Sequence, residues 1–303
     1  MAIKRIDELG AATPLLTDFL PATPAGGPST KATVKQLYES NLFAVSVAYT
    51  GIAPAPFGAI VSAKSGAQSG STLTIPDGVT IETFVYSNGL STTLTYANLA
   101  VIRSTFTMAT WSSLTSLSFP VLTAIGGSFS PQVMGLLTTL STPALAYVGG
   151  HYQPNNMAAL TIISLPALTS IGVNIARTAY DAGRLNPYAI ASLTSFTVPN
   201  IEVIGSVTNS SISFVTGTAA LATFTMGSSL RRVEGSVIFT SAALTQASVD
   251  DILVRLAALD GTGLTTAYST KTVTITGTSA TPSATGLAAK ATLVARGCTV
   301  THN

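Results

Sequence analysis

A repeat of 23 residues occupies the middle of the chain and constrains its fold more than any other feature. Residues 114–127, 137–150 and 160–172 share one pattern, in which short apolar–polar alternation leads to a proline and a second apolar segment ends in glycine. The central prolines follow at the fixed spacing: Pro120, Pro143 and Pro166. Such a short fixed period is typical of folds that stack one supersecondary unit on the next.

The same period extends one unit towards the N-terminus, to residues 91–102, where three columns of apolar residues continue it. Their members are Leu94, Leu117, Leu140 and Ile163; Leu99, Leu122, Leu145 and Leu168; and Ile102, Ile125, Val148 and Ile171. Two more copies follow at wider spacing, at 193–205 and 221–235. Threonine and β-branched residues favour strands, and a unit this short cannot bury its own apolar face. The sequence therefore predicts a mainly β chain, with a short-coil β-solenoid of about 23-residue repeats over residues 73–243.

The segments on either side of the repeats differ in composition. Residues 1–40 are predicted to form an extended N-terminal arm, and residues 41–72, rich in Pro, Gly, Ser and Ala, are predicted to be a linker. Residues 244–303 are predicted to form a small C-terminal α/β cap, because repeat arrays need a unit that covers their open end. The expected elements of this cap are a helix from the N-cap Thr245 to Leu259, a strand over 271–277, a helix from Pro282 or Ser283 to Gly297, and a strand over 298–301.

Charged residues are scarce in this chain. The 303 residues include 14 Lys and Arg against 12 Asp and Glu, which gives 9% charged residues and a net charge of +2, against roughly 25% in an average soluble domain. Nucleic-acid binding requires clustered Lys and Arg that neutralise phosphates, so no nucleic-acid partner is expected. Every apolar run is interrupted before it reaches the length of about 18 residues that a membrane span requires, so no membrane insertion is expected.

The start of the chain and its cysteine count exclude further classes. Asp7 and Glu8 stand where a secretory signal would have an apolar segment, so no such signal is expected. The single cysteine, Cys298, excludes a disulfide framework within one chain. Because there are only two histidines, His151 and His302, the sequence predicts no metal site and no cofactor.

No catalytic residue is predicted. The chain lacks a nucleophile elbow, a phosphate-binding loop and a zinc-protease motif. Cys298 and His302 are the one thiol–imidazole pair close in sequence, and a buried structural cysteine is the favoured interpretation. Glycosidase chemistry would need two adjacent carboxylates. The acidic residues of the repeat region are Glu82, Asp181, Glu202 and Glu234. Arg231 and Arg232 lie near them, so surface ion pairs are favoured, and a polysaccharide-degrading tailspike is the alternative.

One insertion interrupts the repeats and is a candidate binding loop. The interval between the third and fourth clear copies is ten residues longer than the period and spans residues 172–192. It gathers charged and aromatic side chains: Arg177, Tyr180, Asp181, Arg184 and Tyr188. Insertions in repeat proteins often form the binding face, and Tyr and Arg are favoured interface anchors. A contact to a neighbouring subunit and a plain surface loop are the alternatives. A second polar segment contains His151, Tyr152, Asn155 and Asn156, and a solvated turn is favoured there.

Residues 3–37 resemble the short N-terminal segment of many tailed-bacteriophage fibre, spike and other virion proteins. That segment reads roughly I-S-E-L, then D-x-L-P, a glycine pair, and T-K-x-V before a final leucine. The matching residues are Ile6, Glu8, Leu9, Asp18, Leu20, Pro21, Gly26, Gly27, Thr30, Lys31, Thr33, Val34 and Leu37. Asp7 and Gly10 depart from the pattern. The resemblance implies that this segment anchors the protein to other virion proteins of the capsid, the portal or neck, or the tail.

The repeats of residues 91–235 are similar to those of leucine-rich-repeat-like surface proteins, which are mostly adhesive or structural. Together the resemblances imply a structural component of a phage virion and not an enzyme: a fibre, spike or decoration subunit. Its solenoid is expected to bind a host-surface glycan or protein, or to reinforce the particle. A homo-oligomer is expected, with a trimer as the first candidate. A bacterial leucine-rich-repeat-type surface adhesin is the alternative, disfavoured by the missing signal segment.

Overall fold

The chain folds mainly as parallel β-strands. The computed structural model describes the backbone of residues 59–62 and 80–87, and it describes residues 92–172 except 98, 183–205 and 211–303 in full. Within these residues there are twenty strands and two helices, and every strand pairing is parallel. The mainly β class predicted from the sequence is confirmed. The predicted N-terminal arm and its anchoring residues lie outside the described residues.

The strands of the repeat region stand in three columns. Column A contains two parallel three-stranded sheets in succession: β3 (Thr93–Thr95), β6 (Ser116–Ser118) and β9 (Thr139–Ser141), and then β11 (Ile162–Ser164), β13 (Ser195–Val198) and β16 (Thr223–Met226). Column B contains β4 (Val101–Ile102), β7 (Ala124–Ile125), β10 (Tyr147–Val148), β12 (Ser170–Ile171), β14 (Val203–Ile204) and β17 (Arg232–Val233). Column C contains β5 (Phe106–Ala109), β8 (Phe129–Gln132), β15 (Ile212–Phe214) and β18 (Val237–Phe239). Isolated bridges at Tyr152, Asn155, Leu185 and Tyr188 connect β8 to β15.

The register confirms one of the predicted apolar columns in full and another in part. Leu94, Leu117 and Leu140 pair in succession along column A, whereas Ile163, the fourth member of that predicted set, is buried and pairs with Phe196 in the next sheet of the column. Ile102, Ile125, Val148 and Ile171 pair in succession along column B. The third set lies in the turns between these columns and is also buried: Leu99, Leu122, Leu145 and Leu168. Because each strand contributes its apolar side chain at the same level as its neighbour, the three sets form one continuous core.

Column C is an addition that the repeat pattern does not predict. Its inward side chains are aromatic at successive levels, with ring centroids 5.1 Å apart between Phe106 and Phe129 and 5.2 Å apart between Phe129 and Tyr152. The corner between columns C and A places one residue of each unit in the left-handed backbone region: Thr110, Val133, Asn156, Ala189 and Gly217. This shared conformation turns the chain back towards column A.

The corner between columns B and C packs backbone against backbone. A Cβ atom on Gly149 would lie 2.0 Å from the carbonyl oxygen of Gly126 in the preceding unit. Gly205 contacts Gly172 in the same way, with a Cβ position 2.3 Å from the Gly172 carbonyl oxygen. The glycine at these two positions is therefore required by close approach of the neighbouring backbone.

The structure confirms the elements predicted for residues 244–303. They are α1 (Gln246–Ala257), β19 (Thr272–Ile275), α2 (Ala284–Ala295) and β20 (Thr299–His302). Thr245 and Ser283 are the helix N-caps. Strands β19 and β20 extend the sheet of β15 and β18. Helix α1 lies along the edge of β16, where Ser248 Oγ accepts a hydrogen bond of 3.2 Å from the Phe224 N–H. This contact satisfies a backbone donor that the last strand of column A would otherwise leave unpaired.

The linker predicted for residues 41–72 requires a correction. Strand β1 (Ala59–Ser62) lies within it and pairs in parallel with β2 (Thr80–Ser87), for example at Ile60 and Thr83. Two consecutive β-branched residues, Ile60 and Val61, favour a strand over the surrounding composition. Strand β2 also pairs with β4 and β5, so it lies where columns B and C meet.

Candidate functional site

The register places the insertion at a single point of the fold. The Thr169 hydroxyl donates to the carbonyl of Ala146, 23 positions earlier in the chain. The Arg184 N–H donates to His151, which is 33 positions earlier. The ten additional residues therefore lie between these levels, within 173–182. Gly172 and Gly183 touch each other, because a Cβ on Gly183 would lie 2.3 Å from the Gly172 Cα. The insertion thus leaves and returns at one place, on the corner between columns B and C.

The predicted binding loop divides into two groups. Arg177, Tyr180 and Asp181 lie outside the described residues. Arg184 lies at the corner between columns B and C, directly before the column C bridge of Leu185, and Tyr188 lies in column C. The Arg184 carbonyl accepts a bond of 2.9 Å from the Tyr152 N–H, and the Tyr188 carbonyl accepts one of 3.3 Å from the Asn156 N–H. These two residues follow the regular parallel register and are not part of the ten-residue insertion.

His151 is part of a hydrogen-bond ladder at the same corner. Its backbone N–H donates to Ser128 Oγ at 3.0 Å, and its Nδ1 accepts from the Arg184 N–H at 3.1 Å. The Ser128 N–H donates in turn to Thr105 Oγ1 at 3.4 Å. Burial first, and the positive charge of Arg184 second, lower the pKa of His151 below its ordinary value of 6.5. The imidazole therefore acts as a neutral acceptor that joins two levels of the stack.

The second polar segment is not the solvated turn that its composition predicts. The Tyr152 side chain is fully buried, and Asn155 is nearly so. Both residues form bridges of column C, which points Tyr152 into the aromatic core. Sequence reasoning missed this because it recognised two strands in each repeat and not the third.

The two carboxylates of the repeats whose side chains the structure describes, Glu202 and Glu234, take part in ion pairs, as the sequence predicts. Glu202 lies 3.8 Å from an Arg231 guanidinium nitrogen, and Glu234 forms an ion pair with Arg232. The Arg231 and Arg232 N–H groups both donate to the Glu202 carbonyl, at 2.8 and 3.1 Å. Each of these two carboxylates thus has an arginine partner. Glu82 belongs to β2, of which the backbone alone is described, and Asp181 lies outside the described residues.

Cys298 and His302 have different partners. The Cys298 thiol is buried and lies 3.6 Å from the Tyr268 carbonyl oxygen. His302 Nε2 lies 3.0 Å from Lys290 Nζ on α2. The interpretation of Cys298 as a buried structural cysteine is confirmed.

A segregation of charge around the strand columns is the feature that the sequence alone does not reveal. Every described charged residue between residues 92 and 239 lies in a strand of column B, within two residues of the end of such a strand, or at the corner that leads to column C. These residues are Arg103, Arg184, Glu202, Arg231, Arg232 and Glu234. Columns A and C have uncharged side chains throughout. The outward residues of column A are mostly hydroxyl-bearing: Thr93, Ser116, Thr139, Ile162, Ser195 and Thr223 in one row, and Thr95, Ser118, Ser141, Ser164, Thr197 and Thr225 in the other.

Comparison of the chain with protein-family models, with curated proteins and with solved structures gives no match. In the described part of the chain, no three or more His, Cys, Asp and Glu side chains lie together in a way that could hold a metal ion. Neither of the two described helices has the length and apolar character needed to cross a membrane.

Proposed function

We propose that residues 73–243 form a short-coil β-solenoid of about 23-residue repeats, with residues 244–303 as its α/β cap. The parallel register supports this proposal, because three strand columns carry equivalent residues of successive units at successive levels. Threonine hydroxyls connect the same levels, as where Thr123 Oγ1 donates to the Ala100 carbonyl at 3.1 Å. Insertions of different length at the corner between columns B and C leave the stacking of columns A and B unchanged.

We further propose that the protein is a structural component of a phage virion, as a fibre, spike or decoration subunit. The resemblance of residues 3–37 to the anchoring segment of tailed-phage virion proteins carries this proposal. The rigid, charge-poor strand stack beyond that segment suits a part exposed on a particle, since its stability comes from a continuous core and from neutral hydroxyl ladders. The stack either binds a host-surface glycan or protein or reinforces the particle, and the subunit is a homo-oligomer with a trimer as first candidate.

The proposed function is non-catalytic. The two described carboxylates on which glycosidase chemistry would depend, Glu202 and Glu234, are each paired with an arginine. These arginine partners support the ion-pair interpretation of the two carboxylates.

A truncation of the anchor tests the virion role. Full-length protein and a variant that lacks residues 1–40 are supplied to assembling particles, and incorporation and binding to host cells are both measured. A double variant, Asp18→Ala with Lys31→Ala, removes two of the matching charges. Asp77→Ala with Lys64→Ala is its matched control, because it removes the same two residue types outside the segment.

We expect loss of incorporation for the truncated form and the anchor double variant, and none for the control. Continued cell binding by the free truncated chain would identify an attachment subunit, whereas no cell binding by either form would identify a decoration role. Normal incorporation of the truncated chain would overturn the anchor. Cell binding by a full-length chain that never enters particles would instead support the adhesin alternative.

A further inference from the structure

We propose that columns A and C, together with the corner between them, form the surface through which copies of this chain associate. This surface is named here the A–C surface. The proposal rests on the homo-oligomer included in the proposed function, and it is independent of where in a virion that oligomer would sit.

The distribution of charge is the first argument. The sequence contains no Asp, Glu, Lys or Arg from residue 104 to residue 176, and the charged residues that the structure describes between there and residue 239 lie at column B or at its corner with column C. Depletion of charged residues is the compositional mark of the centre of a protein interface. A free surface without charge over two of three sides is also unusual for a soluble domain, which relies on dispersed charge to remain dispersed.

Exposed apolar side chains are the second argument. Of the five exposed large apolar residues described within the repeats, Val133, Leu136, Ile162 and Val215 lie on columns A or C or at their corner, with exposed fractions of 45, 55, 57 and 43%. The fifth, Val121, is 42% exposed and lies in the turn between columns A and B. Ile162 stands in an outward row of column A, where its partner on the neighbouring strand is Ser195. Unlike the hydroxyl side chains of this row, an exposed isoleucine side chain cannot form hydrogen bonds with water. Contact with another copy would remove its side chain from water.

The A–C surface is also continuous and large enough. The described residues that flank 173–182 and 206–210 lie at the corner between columns B and C, away from the corner between columns C and A. Six strands at about 4.8 Å spacing extend about 24 Å, and a side of about seven residues is about 20 Å wide. Two such sides offer about 900 Å², and each partner in a standard interface buries about 800 Å².

A second copy of the chain is the occupant that fits these features. An uncharged surface has no electrostatic complement on a charged partner, whereas every copy of this chain presents the same uncharged surface. Its small Thr, Ser and Ala side chains permit close approach, and the large apolar side chains of the corner provide the central contacts that dominate binding energy.

The test measures the mass of the full-length protein in solution by sedimentation or light scattering at several concentrations. Leu136→Glu, alone and with Ile162→Glu, introduces charge at exposed positions of the A–C surface. Leu264→Glu is the matched control, because Leu264 is 76% exposed and lies outside the repeats. Thr139→Lys on column A and Thr123→Lys beside column B form a second matched pair at exposed threonines. Thermal unfolding establishes that each variant is folded.

We expect the unaltered chain to be oligomeric, Leu136→Glu and Thr139→Lys to weaken association by about tenfold or more, and both control variants to associate normally. Two results would overturn the proposal: a monomeric unaltered chain, or an oligomer that the Leu136→Glu, Ile162→Glu double variant leaves intact. Particle incorporation is not part of this measurement, so a failed interface and a failed virion role give different results.

Discussion

The Nδ1 atom of His151 accepts a hydrogen bond from the backbone N–H of Arg184 at 3.1 Å. A histidine can accept through Nδ1 only when that nitrogen carries no proton. In the unit below, Ser128 Oγ has the same role towards the His151 N–H. The imidazole therefore takes the place of a hydroxyl group as hydrogen-bond acceptor in this ladder. Unlike a serine hydroxyl, it can be protonated at mildly acidic pH.

The first prediction concerns pH. Burial and Arg184 lower the pKa of folded His151 below the unfolded value of about 6.5. The unfolded chain then binds more protons between the two pKa values, so the free energy of unfolding rises with pH over that window. This contribution is complete above about pH 6.5 and is lost as the pH falls through the lowered pKa. Chemical unfolding at a series of pH values between about 5 and 7 measures it.

The matched variant for this prediction is His151→Ser, which keeps an acceptor side chain but does not titrate. We expect its unfolding free energy to depend less on pH than that of the unaltered chain over the same window. Equal slopes for the two proteins would contradict the assignment of a neutral, bonded imidazole at this position.

The second prediction concerns the glycine corner. Gly149→Ala places a methyl group 2.0 Å from a backbone oxygen of the unit below, and a backbone atom cannot move away cheaply. We expect a loss of about 3 kcal/mol in the free energy of unfolding. Gly135→Ala is the control, because no atom lies within 4 Å of its Cβ position. This control should stabilise the chain by about 0.5 kcal/mol, because alanine restricts the unfolded state. Equal effects of the two substitutions would mean that the units do not approach closely at Gly149.

The sequence was sufficient to predict columns A and B because their inward residues are aliphatic at a fixed period. Leu117 and Ile125 are flanked by the same kinds of residue in each unit, since the core selects them in the same way. Column C could not be predicted by that reasoning. Its inward positions change from Phe129 to Tyr152 to Leu185, and β8 contains Pro131, which normally argues against a strand.

The length of the insertion in the candidate binding loop could be predicted from the sequence, but its position in the fold could not. The spacing of the repeats gives an insertion of ten residues, yet it does not say where the regular register resumes, and Arg184 and Tyr188 proved to lie beyond that point. The charge segregation depends on knowing which segments share a side. Glu202 and Arg231 are distant in sequence and adjacent in the fold only because β14 pairs with β17.

The third prediction compares two buried tyrosines. Within the described residues, the Tyr152 hydroxyl has no hydrogen-bond partner, whereas the Tyr268 hydroxyl donates to the Gly235 carbonyl at 3.2 Å. Tyr152→Phe removes an unsatisfied buried group and should stabilise the chain by about 1 kcal/mol. Tyr268→Phe leaves the ring in place and removes a bond, so it should destabilise by about 1 kcal/mol. Urea unfolding of both variants gives the two signs, and a loss of stability in Tyr152→Phe would show that its hydroxyl is bonded.

The fourth prediction concerns the contact between α1 and the edge of β16. Alanine is the better helix former, so Ser248→Ala would stabilise an isolated exposed helix by about 0.5 kcal/mol. Here the Ser248 hydroxyl accepts from the buried Phe224 N–H at 3.2 Å, and its loss leaves that donor unpaired at a cost of about 1–3 kcal/mol. The second effect is larger, so we expect net destabilisation.

The control for this last prediction is Thr292→Ala on α2, an exposed hydroxyl residue whose side chain bonds only within its own helix, to the Ala288 carbonyl. Helix propensity should dominate there and give a gain of about 0.5 kcal/mol. Amide hydrogen exchange adds a local measurement, since the Phe224 amide should exchange faster in Ser248→Ala and remain protected in Thr292→Ala. If Ser248→Ala stabilised the chain and left that amide protected, α1 would not be the element that satisfies the edge of the last strand in column A.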